Sequence, residues 1–173
     1  MKYLSLLIIL SIFGCKSQQI TIEKPVNQQK TRQSKSFKIL EKMEIIPNQT
    51  LQVVKDEAGQ RYIKTLDGQN TLIKYTYKTT PLDTQIMDAG YTQYVWFEIP
   101  GHKIETKTYK TADLQKKPAY VQIHAFRNSR LIPVTKDSVS IKLIDENQIK
   151  VHFKINPQYQ NIQQKDITQT IKL

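Results

Sequence analysis

The side chains of this chain best suited to catalysis or metal binding are three histidines, His102, His124 and His152, and two carboxylates, Asp83 and Asp88. Three imidazoles meeting across a sheet, with water in the fourth position, would form a catalytic zinc pattern. Their spacing matches no ligand motif. Asp83 and Asp88 stand in the connection from Thr79 to Gly90, and two acids about five residues apart can contribute to calcium binding. The alternating Asp-x-Asp of a calcium loop is missing, and turn chemistry accounts for both, because Asp side chains bond their own backbone. No G-x-S-x-G, H-E-x-x-H or glycine-rich phosphate loop occurs, and the chain has only five glycines. The residues imply no cofactor and no general acid–base set.

Aromatic residues are the other chemical clue. Tyr91, Tyr94, Trp96 and Phe97 fall on one stretch, with Tyr75 and Tyr77 nearby. On a strand, alternate residues face opposite ways. Tyr91, Val95, Phe97 and Ile99 therefore share one face, the core face, and Tyr94, Trp96 and Glu98 share the other. That second face is either covered by another layer or presented as a sticky patch suited to glycan or protein contact. Tyr94 and Trp96 are the candidate interaction surface.

The elements that must position these residues are strands, because apolar residues recur with a period of two from about residue 50 onward. Leu51–Lys55 and Arg61–Leu66 flank Asp56-Glu57-Ala58-Gly59-Gln60, a hairpin loop containing glycine. Asp67-Gly68 reads as a second turn. Strands follow at Thr71–Lys78, Tyr91–Ile99, the polar stretch Lys103–Tyr109, and Tyr120–Arg127. Val139, Ile141 and Leu143 face one way; after the Asp145-Glu146-Asn147 turn, Ile149, Val151, Phe153 and Ile155 do the same. Ile167–Ile171 forms a last strand. The one helical candidate is Thr111–Lys117, capped by Thr111 and stopped by Pro118. Such alternation predicts an all-β fold, an antiparallel β-sandwich of seven to nine strands, with a small barrel as the alternative. The Cys–Trp–Cys spacing of immunoglobulin domains is absent.

Cys15 is the only cysteine. Lys2 precedes the apolar run Leu4–Phe13, and the small residue Gly14 precedes Cys15. A run of about eleven apolar residues is too short to span a bilayer, which needs about 20. Ile12-Phe13-Gly14-Cys15 resembles the lipobox of bacterial lipoproteins, with Phe13 departing from the small residue usual at its position. The resemblance implies cleavage between Gly14 and Cys15, and acylation of Cys15 as a membrane anchor. Residues 1–14 would then be a lipoprotein signal peptide, and 15–35 the lipidated cysteine and a disordered basic linker. Residues 36–173 would be a single β-domain. Surface-exported lipoproteins of the Bacteroidota type carry acidic residues just after the cysteine. Lys16-Ser17-Gln18-Gln19 has none, so the resemblance implies the periplasmic face of the outer membrane.

The linker is rich in glutamine and poor in apolar residues, too poor to offset its ordering entropy. It holds five basic residues, Lys16, Lys24, Lys30, Arg32 and Lys35, against Glu23. The whole chain carries a formal net charge of +11. Scattered basic residues and an envelope location argue against nucleic acid as partner. They favour an anionic lipid, an anionic glycan or an acidic envelope protein. Two functions are open to such a chain. One is a lipid-anchored, non-catalytic binding or interaction module of the envelope. The other is an envelope hydrolase or metal-dependent enzyme with a loop-borne site built from Asp83, Asp88, His102 and His124.

Overall fold

A computed structural model describes residues 20–21, 26–33, 37–83, 89–125, 129–156 and 158–173. Gly14, Cys15 and Asp88 lie outside the described residues, as do Phe126 and Arg127 at the end of one expected strand. In chain order the elements are β1 (Ile20–Thr21), β2 (Val26–Gln33), β3 (Phe37–Lys55), β4 (Arg61–Pro81), β5 (Tyr91–Ile99), β6 (Lys103–Ile104) and β7 (Lys107–Tyr109). Then come α1 (Thr111–Lys116), β8 (Ala119–Ala125), β9 (Arg130–Val134), β10 (Ser138–Asp145), β11 (Gln148–Lys154) and β12 (Asp166–Lys172).

The fold is an all-β sandwich. An antiparallel six-stranded sheet has the order β2-β3-β4-β5-β8-β9, a four-stranded sheet the order β12-β11-β10-β7, and β1 pairs with β6 alone. Neither sheet closes on itself, so the barrel alternative falls away. The two main sheets hold ten described strands, more than the seven to nine expected. The additional strands are those whose alternation is hidden. The first half of β3 and the short β9 carry mixed patterns, and β2 is polar after Val26.

β2 also corrects the linker expected over residues 15–35. Val26 to Gln33 pairs residue for residue with Ile45 to Lys38. Asn27, Gln29, Lys30, Thr31 and Arg32 stay exposed, so burial contributes little here. What holds β2 is the main-chain ladder along β3, supplemented by Arg32 Nη2 at 2.7 Å from Glu41 Oε1. A polar, charged edge strand also resists further pairing at that edge.

Between the sheets lies the main core. One row crosses five strands as Met43, Tyr75, Val95, Val121 and Ile132. Opposite it, Val139, Ile141, Ile149, Val151, Phe153, Ile167 and Ile171 are buried from the four-stranded sheet. Leu143, expected with them, is only partly buried; it still pairs with Ile149, and the β10–β11 register shifts just beyond it, between Leu143 and Asp145. A buried polar group links the layers. Gln93 is fully buried; its Nε2 donates to the Gln164 carbonyl at 2.7 Å, and its Oε1 accepts from the Gln163 and Gln164 amides at 3.0 and 3.1 Å. Those hydrogen bonds offset the cost of burying the amide and fix the 161–164 segment on β5.

Two further corrections are local. Lys103–Tyr109 is not one strand: β6 pairs with β1 and β7 with β10. At α1, Thr111 is the first helical residue rather than the cap. The cap position is Lys110, whose amide donates to Asp113 Oδ2 at 3.0 Å.

Candidate functional site

β3 and β4 are much longer than their neighbours, and their far halves form the expected hairpin, with Lys55 opposite Arg61. The Asp56–Gln60 loop closes through Asp56 Oδ1, which accepts from the Gln60 amide at 2.8 Å, and through Gly59 at a φ of 79°. Only glycine adopts that conformation without strain.

Asp67-Gly68 is not a turn, because β4 continues through it as one strand. It is instead one side of a bulge. Pro47 pairs with Thr71 and Gln49 with Asp67, so Gly68, Gln69 and Asn70 stand opposite Asn48 alone. Asn48 sits at a φ of 60°. A Cβ at Gly68 would fall on Thr50 Oγ1, so glycine is required for close approach. Such bulges bend a strand pair.

Beyond the bulge the hairpin turns back across the outer face of the six-stranded sheet. At its tip, Asp56, Gln60 and Tyr62 line one cleft together with Gln122, His124 and Arg130. At its base, Thr50 and Leu51 line another with Glu98, Lys117 and Tyr120. Leu51, Val53 and Ile63 on the hairpin are half-buried.

Beneath it lies the face carrying Tyr94 and Trp96. Register places Lys74, Trp96, Tyr120 and Pro133 in one row across the sheet, and Thr76, Tyr94, Gln122 and Leu131 in the next. Trp96 is only 7% exposed and Leu72, on the same face, is fully buried, although both point away from the main core. The expected pair is therefore largely covered by a second layer. Lys74 Nζ lies 4.9 and 4.8 Å from the ring centres of Tyr94 and Trp96, and an ammonium over such rings is held by their quadrupole. Burial lowers the Lys74 pKa, against the pull of Glu44 at 3.9 Å. Tyr94 meets His124 edge-to-face at 5.8 Å. Partial desolvation lowers the His124 pKa, so its ring is mainly neutral at pH 7, and its Nε2 lies 2.9 Å from Gln122 Nε2. The buried Trp96 indole N–H has no hydrogen-bond partner among the described residues.

Glu98 anchors the hairpin base. It is 6% exposed, and its oxygens accept from the Leu51 amide at 2.8 Å and from Asn70 Nδ2 at 2.6 Å. Lys117 Nζ is 2.6 Å from the same carboxylate.

The residues considered for catalysis are dispersed. His102 lines a cleft of about 600 Å³ with Ile99, Lys103, Lys107 and Tyr109. His124 lies under the hairpin tip, and His152 Nε2 is 2.8 Å from Asp166 Oδ1 on the outer face of the other sheet. Asp83 is exposed just past β4. Among the described residues no group of three or more His, Cys, Asp or Glu is placed to hold a metal ion. Strand parity identified Tyr94, Trp96 and Glu98 as one face, but it could not supply Lys74, Tyr120 or Gln122, which register brings there, or Asn70, which the bulge brings to Glu98. Comparison of the chain with protein-family models, curated proteins and solved structures gives no match.

Proposed function

We propose that this protein is a lipid-anchored, non-catalytic binding module of the bacterial envelope, facing the periplasm from the outer membrane. Its ligand surface is the Lys74–Tyr94–Trp96–Tyr120 face under the hairpin. The observation that carries this reading is Trp96: a large aromatic on the outer side of a sheet, roofed by a bent-back hairpin, with an indole donor left unpartnered among the described residues. A buried donor without an acceptor costs about 1–3 kcal/mol, and a ligand that supplies the acceptor recovers it. Rings of this kind stack on a sugar or grip a protein segment, so an envelope glycan or envelope protein fits the site. The apolar run before Cys15 supports the membrane anchor.

One experiment tests both parts. A photo-crosslinking residue replaces Tyr62, on the hairpin beside the site, in cells expressing the full chain. Adducts are then captured from intact envelopes and analysed by mass spectrometry. A discrete protein or glycan adduct, lost on Trp96→Ala, is expected, with Cys15 acylated and residues 1–14 gone. An absence of adducts, or adducts indifferent to Trp96→Ala, would sink the binding reading. An unmodified Cys15 thiol would sink the anchor.

A further inference from the structure

The outer face of the four-stranded sheet carries the opposite chemistry. Its side chains are Ser138, Ser140 and Lys142 from β10, Lys150, His152 and Lys154 from β11, and Asp166, Thr168, Thr170 and Lys172 from β12. Lys142, Lys150, Lys154 and Lys172 are all exposed, and none is ion-paired among the described residues. Lys142 and Lys150 are direct cross-strand partners. Like charges placed so are destabilising, and nothing in the packing of this wet face requires them. The carboxylate on the face, Asp166, is already engaged by His152 at 2.8 Å. Asp145 and Glu146 sit in the β10–β11 turn, where Asp145 Oδ1 accepts the Asn147 amide at 2.8 Å. Next to that turn Ile144 is 49% exposed. At the other end Lys154 borders a cleft of about 510 Å³ that also exposes Lys110, Lys136, Thr108, Thr111 and Ser138, with Asp137 as its carboxylate.

From this arrangement we infer that the outer face of the four-stranded sheet docks on a bilayer surface bearing anionic phospholipid headgroups. Four strands at about 4.8 Å spacing make a platform about 15 Å across, broad enough to meet several headgroups together. Lysine is a flexible point charge suited to a diffuse anionic plane, whereas bidentate recognition of one carboxylate or phosphate favours arginine, which this face lacks. A glycan partner would call for aromatic platforms, and none stands among these side chains. A protein partner would call for an apolar centre, and the face offers only Ile144, at its rim, where it can enter the headgroup layer. Docked this way, the sandwich lies with its lysines on the membrane and turns the hairpin-covered Trp96 face toward the periplasm.

The full chain in its native membrane-tethered form tests this. It is reconstituted into vesicles of neutral phosphatidylcholine, or of the same lipid with about a third phosphatidylglycerol, and its amines are labelled and quantified by mass spectrometry. Lys142, Lys150, Lys154 and Lys172 are expected to be protected on the order of tenfold in the anionic vesicles. Lys38, Lys64 and Lys78 should label equally in both. Protection should collapse at 1 M salt, where screening is complete within about 3 Å. The triple variant Lys142→Gln, Lys150→Gln, Lys154→Gln should restore Lys172 labelling to its neutral-vesicle level. Equal labelling of the four lysines in both lipids overturns the inference. So does protection produced by added polyglutamate and not by phosphatidylglycerol, which would assign the face to an acidic protein. The same spectra report the mass at Cys15, so a failure of the anchor is read separately from a failure of the docking face.

Discussion

Glu98 and Lys117 meet at 2.6 Å across the base of the hairpin, with the carboxylate buried and the ammonium 40% exposed. The pair is asymmetric, and the asymmetry decides what each side contributes. Removing Glu98 loses two charged hydrogen bonds, to Leu51 and Asn70, besides the ion pair. Removing Lys117 leaves the carboxylate its other donors. Glu98→Ala is expected to cost about 2–4 kcal/mol in urea unfolding, and Lys117→Ala about 1 kcal/mol or less. Hydrogen exchange supplies the second readout: the Leu51 amide should exchange much faster in Glu98→Ala, since its acceptor is gone. An unchanged Leu51 amide would mean that Glu98 does not fasten the hairpin.

Gly68 governs the bend. Its substitution by Ala drives a methyl group into Thr50 Oγ1 and Cβ. Overpacking of this kind costs about 1–3 kcal/mol. Gly68→Ala should lower the urea midpoint and shift the emission of Trp96, the single tryptophan of the chain, as the hairpin lifts. Adding Thr50→Gly should recover part of the loss. Gly59→Ala makes a useful contrast, because a methyl group there would meet no atom within 4 Å and its strain is purely that of a φ of 79°.

Alkali should loosen the sandwich through Tyr91. Its hydroxyl donates to the Asn161 carbonyl at 2.8 Å and lies 3.0 Å from Gln93 Oε1. Burial, partly offset by the Gln163 amide, raises its pKa to about 12. The folded state therefore holds this proton when the unfolded chain, near 10, has lost it. The stabilisation is complete below pH 10 and disappears as pH rises to about 12. Tyr91→Phe should cost about 1–2 kcal/mol at pH 7 and flatten the decline of stability over that window. Tyr75, also raised by burial, retains the remaining sensitivity. A wild-type stability independent of pH from 9 to 12 would contradict this.

Lys150→Glu converts a like-charge pair into an opposite one with Lys142. Cross-strand charge pairs are worth about 0.2–1 kcal/mol, so the variant should unfold at a slightly higher temperature than the natural chain. The same change should abolish lipid-dependent protection of Lys172. Stability gained together with binding lost is the signature of a residue kept for a partner; stability lost would show instead that Lys150 serves the fold.

Much of the sheet architecture was legible because a half-buried strand writes its burial as alternation. Val139 and Ile141 on β10, and Ile149, Val151 and Phe153 on β11, did so plainly, and the 51–66 hairpin carried its own turn chemistry in Asp56 and Gly59. β2 was not legible: Asn27 to Arg32 are polar and mostly exposed, and backbone pairing leaves no mark on residue type. Asp67-Gly68 misled for a related reason, since glycine serves a tight turn and a close approach equally well. For the site, parity alone set Tyr94, Trp96 and Glu98 on one face.

Local rules thus settled which residues alternate and which stretches are strands, because those follow from side-chain period and backbone sterics along a few neighbouring residues. The sequence by itself also singled out Cys15 and the apolar run before it. The partners were decided only by tertiary structure. Lys74 reaches Trp96 through β4–β5 register, Glu98 reaches Leu51 because a bulge bends the hairpin back, and Gln93 reaches the Gln163 and Gln164 amides some 70 residues on. Register and bending depend on the packing of whole sheets against each other, a sum over distant contacts that no local stretch of chain contains.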